Sequence, residues 1–515
     1  MTRLPQQIFT VPLFIESHAS WAADKTAVIA GSERRTYGEL NCAINRVGNV
    51  LIAMGLKRGD RVGLFTTNRI EHLEFAFGAL KAGFVVAPIS MLLTPETVFR
   101  LLRDAEVKAL LVEAGSPLLD TDLPSRLPSL LSHGLIVLDD DKRTYAALLD
   151  RGQETAPPVQ IDPEDDCTII YSSGTTGVPK GILHSHMGRS LFGVAFAAEY
   201  AMNEKTVSVL TTPACSNASW MLMVPTFYAR GTLIFMQGFE ARSYLAAVET
   251  FGGTHSFLVP TQIEAVLDYP DLGRFDCRTL KTVISAGSKL RDETKRRLST
   301  FTGAGFFEIY GTTEGAGTLL KPCHLPEKLS SVGPPGACGE IRIIGPDDRE
   351  LPPNTRGEIV GRNLFCSRGY LNRPDQNDEL AWYDLGGRLF FRTGDIGYLD
   401  EDGFLYVVDR KKDMIVSGGM NVYASDVEEV LAQHPDVLGA AVVAAPHDKW
   451  GETPHAFVEL REGAKIQAAV LRDWANERLN RHERLDAVTL IDSLPRNTLQ
   501  KVIKAELKAR LWPRD

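Results

Sequence analysis

From Thr36 to about Gly357, short β-branched runs alternate with stretches whose apolar residues recur at helical spacing. Arg61 to Phe65 reads as a strand, Ile70 to Ala82 as a helix, and Phe84 to Pro88 as the next strand. Further strands are predicted at Ala109 to Val112, Cys167 to Tyr171, Thr206 to Leu210, Thr232 to Phe235, Ser256 to Val259 and Thr282 to Ser285. Such alternation predicts an α/β fold, a large domain of parallel-containing sheets flanked by helices. The most apolar stretch, Phe75 to Leu93, carries Lys81 and lies beside turn chemistry at Pro88 and Pro95, so it reads as a buried helix and strand and not as a membrane span. Between about 339 and 410 the chain becomes richer in Gly, Asp and Arg, with strands at Glu340 to Ile344 and Gly357 to Val360, which predicts a β-rich subdomain. The charged run Arg410, Lys411, Lys412, Asp413 breaks the pattern and marks a domain boundary. Beyond it Ser425 and Glu428 stand at capping-box spacing, predicting a helix from Asp426 to Gln433. Strands at Val437 to Ala445 and His455 to Leu460, a helix at Gln467 to Leu479 and a last helix complete a small α+β domain.

A length of 515 residues exceeds what one core supports, which agrees with at least two domains. Hydrophobic residues at 44% and charged ones at 23% leave little room for long disordered regions. A net charge of −9 argues against a general nucleic-acid binder, yet permits a local basic pocket. The seven cysteines are odd in number, far apart and without CxxC spacing, so reduced, buried thiols are expected. The amino-terminal MTRLPQQIFTVPLF lacks the basic start and apolar run of a secretory signal, and a cytoplasmic enzyme is expected.

Candidate chemistry begins at YSSGTTGVPKG, Tyr171 to Gly181. Gly174 and Gly177 allow close backbone approach, Ser172, Ser173, Thr175 and Thr176 offer hydroxyl donors, and Lys180 brings positive charge to a polyanion. The Walker pattern is not met, because Lys180 does not follow its glycine in the required register. On composition alone, a flexible Ser/Thr/Gly loop is the competing reading. The segment resembles the signature loop of the adenylate-forming superfamily, which holds acyl-CoA synthetases, peptide-synthetase adenylation domains and firefly luciferase. TYGEL at Thr36 to Leu40 and GDRV at Gly59 to Val62 look like that family's amino-terminal motifs, so the resemblance runs along nearly the whole chain.

The resemblance implies roles for further residues. In FEIYGTTEGAG, Tyr310 would stack on adenine among Glu308, Ile309 and Gly311, Thr313 would lie near the α-phosphate, and Glu314, assisted by Thr175, would hold Mg2+. In ISAGSKL, Ala286, Gly287 and Ser288 would border the adenine and the acyl group. Asp395 matches the ribose carboxylate, Arg410 a second ribose and phosphate contact, and Lys412 the hinge dividing residues 1–411 from a mobile domain of 412–515. Asp402 and Gly403 read instead as a hairpin turn. In LPRNTLQKVIKAEL the catalytic lysine maps to Lys501, with Gln500 where many members carry Gly and Lys504 as the competing register. Ser417, Gly418 and Gly419 would face the pantetheine of coenzyme A.

The implied activity is an ATP-dependent carboxylic acid–CoA ligase that forms an acyl-adenylate and then a thioester. TTPACSNASWMLMVP would line the acyl pocket, with Ser216 at the gate and Asn217, Ala218, Trp220, Met221 and Met223 behind it. No Arg or Lys falls inside this stretch, which predicts an aliphatic, alicyclic or aromatic monocarboxylic acid. Partners expected are that acid, ATP and coenzyme A, with a homodimer as the protein partner weighed. Rivals are delivery to a carrier-protein thiol, disfavoured by the lack of a carrier module after Lys501, and an adenylate-binding protein impaired in catalysis, suggested by Gln500.

Overall fold

The computed structural model describes residues 9–120, 134–139, 142–172, 179–288, 290–302, 305–418, 420–496 and 502–512. Two mixed sheets dominate the large domain. One has 8 strands in which the segments at 282–285, 255–257, 207–210 and 232–235 run parallel, with antiparallel strands at both edges. The other has 7 strands, parallel through Arg61–Phe65, Val85–Pro88 and Ala109–Glu113, and antiparallel where Asp166–Ser172 meets Lys180–Ser185. The α/β architecture expected from the alternating pattern is borne out.

One core joins the two sheets. Val28, Leu210 and Ile284 of the first share it with Val62, Leu111 and Cys167 of the second. Helix Ile70–Lys81 runs through this core with every residue buried, which explains why its sequence shows little amphipathic contrast. Its polar groups are paired: Thr66 Oγ1 meets His72 Nδ1 at 2.8 Å, Arg35 Nε reaches Glu74 at 3.2 Å, and Lys81 reaches Glu16 at 2.7 Å. Helix Tyr37–Ala53 packs beside it and starts with a complete capping box. Thr36 Oγ1 accepts from Glu39 N–H at 3.2 Å, and Glu39 Oε2 accepts from Thr36 N–H at 2.8 Å. TYGEL is thus a helix start.

The β-rich region is an antiparallel sheet of 5 strands, among them Gly357–Arg362, Leu389–Leu399 and Leu405–Arg410. Its last hairpin turns at Gly403, which has φ +80 and donates its N–H to Asp400 O. A further sheet of 5 strands holds the carboxy-terminal domain, with Gly451–Leu460 at its centre and Val437–His447 beside it at an edge.

The capping box expected at Ser425 and Glu428 does not form. The helix is Ala424–Ala432 without a side-chain cap. Ser425 donates its hydroxyl to Val408 O, while its N–H donates to Asp409 Oδ2 at 3.1 Å. Glu428 instead accepts from Val442 N–H at 2.7 Å and pairs with Lys504 Nζ at 2.7 Å. Burial raises the Glu428 carboxyl above its ordinary range, with Lys504 opposing that rise. Lys504→Met should therefore destabilise the protein by about 1 kcal/mol, because it leaves a half-buried carboxylate without its cation. Chemical denaturation checks this, and unchanged stability would count against the pair's importance. The thiols are all free, but Cys323 and Cys338 are exposed and only Cys167 and Cys277 are buried, so burial of every thiol is corrected.

Candidate active site

Strand Gly305–Gly311 carries the aromatic of the nucleotide run to the edge of the large domain. The Tyr310 hydroxyl donates to Asp395 Oδ2 at 2.8 Å. Arg410 Nε lies 3.1 Å from Asp395 Oδ1, and antiparallel register sets Asp395 directly across from Arg410. Asp395 is buried, so two donors hold a desolvated carboxylate in one orientation. Residues 85 positions apart meet here because a long hairpin of the β-rich sheet reaches the strand end.

The loop after this strand positions Glu314. Its backbone oxygen accepts from Ser367 N–H at 2.7 Å, and its Oε1 accepts from the Tyr370 hydroxyl at 2.7 Å. Gly315 has φ +128, and a Cβ there would lie 2.6 Å from the Cys366 backbone, so this turn requires glycine. Tyr370 sits on the short strand Gly369–Tyr370, which pairs with Lys180–Ser185, and Lys180 Nζ stands 4.7 Å above its ring. Ser172 faces Lys180 across the hairpin whose connection is the glycine-rich segment. Lys180 and Gly181 therefore open a strand. Ser173, Gly174, Thr175, Thr176 and Gly177 lie outside the described residues, as do Gly419 and Lys501.

Tyr370 was not foreseen, although its hydroxyl fixes the carboxylate expected to meet Mg2+. Tyr370→Phe should lower acid-dependent pyrophosphate release about tenfold and raise the magnesium requirement, since Glu314 loses a charge-assisted hydrogen bond. A magnesium titration checks this; an unaltered requirement would remove Tyr370 from the site.

A pocket open to solvent adjoins this cluster. Ile309 to Thr313 and Gly315 to Leu319 form one wall. Helices His186–Glu199 and Asn217–Tyr228 form the other, contributing Arg189, Phe192, Phe196, Asn217 and Met221. Of the expected acyl-pocket residues, Asn217 and Met221 line the space. Ser216 instead caps its helix by accepting from Ala218 N–H at 3.3 Å. Trp220 is buried, donates to Ala214 O at 3.1 Å and packs on Phe77, while Ala218 packs against the core and Met223 lies in it.

Arg189 alters the charge of this pocket. It lies outside TTPACSNASWMLMVP, so the lack of Arg and Lys in that stretch does not leave the pocket uncharged. A charged residue on the otherwise apolar run MGRSLFGVAFAA was the signal available. His184, likewise unforeseen, links Arg189 to Thr313 O, where its Nε2 lies 3.0 Å away.

Three other expectations meet different surroundings. Glu308 is buried against Lys295 Nζ at 2.6 Å, so it braces strand Gly305–Gly311 from behind and is not free to contact a nucleotide. Ala286 is buried at the end of strand Thr282–Ser285, and Gly287, with φ +100, and Ser288 are exposed beyond it. Ser417 and Gly418 sit at a hairpin turn where Gly418 has φ +58; a Cβ would strike the Trp450 ring at 2.7 Å. That glycine's freedom is already used by Trp450. Among the described residues no helix is long and apolar enough to cross a membrane.

Comparisons with known proteins agree with this geometry. The AMP-binding enzyme family model matches residues 15–371, and the model of the AMP-binding enzyme C-terminal domain matches 426–501. A feruloyl-CoA synthase from Amycolatopsis sp is 32% identical over 94% of this chain and 96% of that protein. A fatty acid–acyl-carrier-protein ligase from Streptomyces coeruleorubidus is 30% identical over 98% of this chain and 97% of its own. ATP-bound MatB from Rhodopseudomonas palustris superposes with a TM-score of 0.89 at 27% identity, over 97% of this chain and 99% of that one. The chain belongs to the AMP-binding enzyme family and is an AMP-forming acid–thiol ligase of the acyl- and aryl-CoA ligase type.

Proposed function

We propose that this protein activates an aliphatic, alicyclic or aromatic carboxylic acid as its adenylate and passes the acyl group to coenzyme A. The observation carrying this reading is that Tyr310, Asp395 and Arg410 form one hydrogen-bonded cluster beside a pocket lined by apolar side chains and a few polar groups. A carboxylate oxygen of the acid attacks the α-phosphorus of ATP and pyrophosphate leaves. The barrier is largely repulsion between an anion and a polyanion, so neutralisation and alignment dominate. Asp395 accepts from the ribose hydroxyls, Arg410 holds it in place, and Thr313 and the donors of the glycine-rich segment meet the phosphates. Lys501 bridges the acid and the α-phosphate. In the second half-reaction the thiol sulfur attacks the acyl carbon and AMP leaves, with the small domain turned about Lys412.

Magnesium suits the donor set if it is shared with substrate. Glu314 offers a single carboxylate with one oxygen bound by Tyr370, and no group of three acidic, His or Cys side chains forms among the described residues. That fits an ion completed by phosphates and water, which would neutralise their charge. Free thiols on the surface at Cys323 and Cys338 favour a reducing compartment, the cytoplasm.

Delivery to a carrier-protein thiol is the second reading, favoured by the acyl-carrier-protein ligase among the relatives. Pyrophosphate release across a panel of acids, followed by coenzyme A or a phosphopantetheinylated carrier, separates the two. Thioester with coenzyme A is expected. Adenylate that only the carrier accepts would assign the second reading, and ATP binding without pyrophosphate from any acid would leave an adenylate-binding protein.

A further inference from the structure

We propose that the acid accepted by this cavity bears a second carboxylate, in addition to the one that is activated, and that Arg189 receives it. This deepens the ligase reading and rests on it.

Arg189 is 1% exposed yet lines the cavity. Its Nε donates to Thr168 Oγ1 at 2.9 Å, one terminal nitrogen to Asn217 Oδ1 at 2.7 Å, and the other to His184 Nδ1 at 3.2 Å. All three acceptors are neutral. His184 supplies no counter-charge: burial first, and Arg189 next, hold its imidazole far below the ordinary range, and its Nε2–H donates to Thr313 O. No carboxylate among the described residues pairs with Arg189. A guanidinium has five N–H groups, so two remain after these bonds.

Placing a cation away from water without a counter-ion is unfavourable. The rings of Trp220, 4.9 Å away, and Phe192, 5.6 Å away, offset a part of this. Burial is also the main cause that pulls the guanidinium down to about 10, which leaves it charged at neutral pH. An anion brought by the ligand completes the balance, and the planar fork of arginine matches a carboxylate. That anion is distinct from the carboxylate under activation. His184 stands between Arg189 and Thr313, which sets the guanidinium back by one imidazole ring from the residue expected near the α-phosphate. The apolar walls at Phe192, Phe196, Phe365 and Met221 then take the body of the acid.

The test uses matched acids with the full-length protein: hexanoate against adipate, and cinnamate against its para-carboxylated counterpart. Wild type should favour the dicarboxylic member of each pair by about 30-fold in kcat/KM for pyrophosphate release. Arg189→Met should bring that ratio near unity, with Arg189→Lys between. Preference for the monocarboxylic member, or a ratio unmoved by Arg189→Met, overturns the assignment. Should Arg189→Met fail to fold, the wild-type ratios alone decide. Calorimetric binding of adipate separates the two levels: Arg189-dependent binding without pyrophosphate sinks the ligase reading and keeps the pocket, whereas turnover without preference does the opposite.

Discussion

Lys501→Ala should lower acid-dependent pyrophosphate release by about 1,000-fold, while thioester formation from synthetic acyl-adenylate stays within about threefold. The asymmetry follows from when charge must be neutralised. In adenylation two anionic groups approach, whereas the thiol attacks an already formed mixed anhydride. The cations placed beside the cavity serve other groups: Arg410 holds Asp395, Lys180 lies over Tyr370, and Arg189 is turned to the second carboxylate of the acid and not to the α-phosphate. The competing register is disfavoured too, since Lys504 is committed to Glu428 inside the small domain. Single-turnover assays of each half-reaction check the prediction. A small effect on adenylation would return Lys501 to the status of a surface charge.

Lys412→Pro should do the reverse, with thioester formation falling about 100-fold and adenylation largely kept, because proline fixes φ and pushes the preceding residue toward extended geometry. Lys412 lies in a tight turn where Asp413 and Met414 both donate to Arg410 O, at 2.9 and 3.0 Å. Lys411 N–H in turn donates to Gly394 O at 2.9 Å, so the chain is anchored on the large-domain side just before the proposed hinge. Stiffening that point hinders passage between the two arrangements. Equal loss in both half-reactions would sink the hinge proposal and leave Lys412 as a structural residue.

What was legible in the sequence depended on how far the decisive interaction reached. Strands such as Arg61–Phe65 and Thr232–Phe235 announce themselves through local β-branched runs, and helix Ile70–Lys81 through apolar residues at helical spacing. The same capping spacing occurs at Thr36 with Glu39 and at Ser425 with Glu428, yet only the first pair caps a helix. At the second, Val408, Lys504 and Val442 capture the side chains, and no local pattern shows that. Glu308 is a similar case, since its neighbour Lys295 comes from a helix outside the motif. The cluster of Tyr310, Asp395 and Arg410 was reachable through motifs, but Tyr370 and Arg189 were not, because each is brought in by a sheet or helix pairing outside the searched segment. A pocket's charge is a property of its whole wall.

The central claim is that the acid's own oxygen attacks phosphorus. An acid carrying heavy oxygen in its activated carboxylate, turned over with ATP and coenzyme A, tests it by mass spectrometry of the products. Transfer of one heavy oxygen per turnover into AMP, with none in pyrophosphate, is the predicted result. Label in pyrophosphate or inorganic phosphate, or ADP as the nucleotide product, would contradict it.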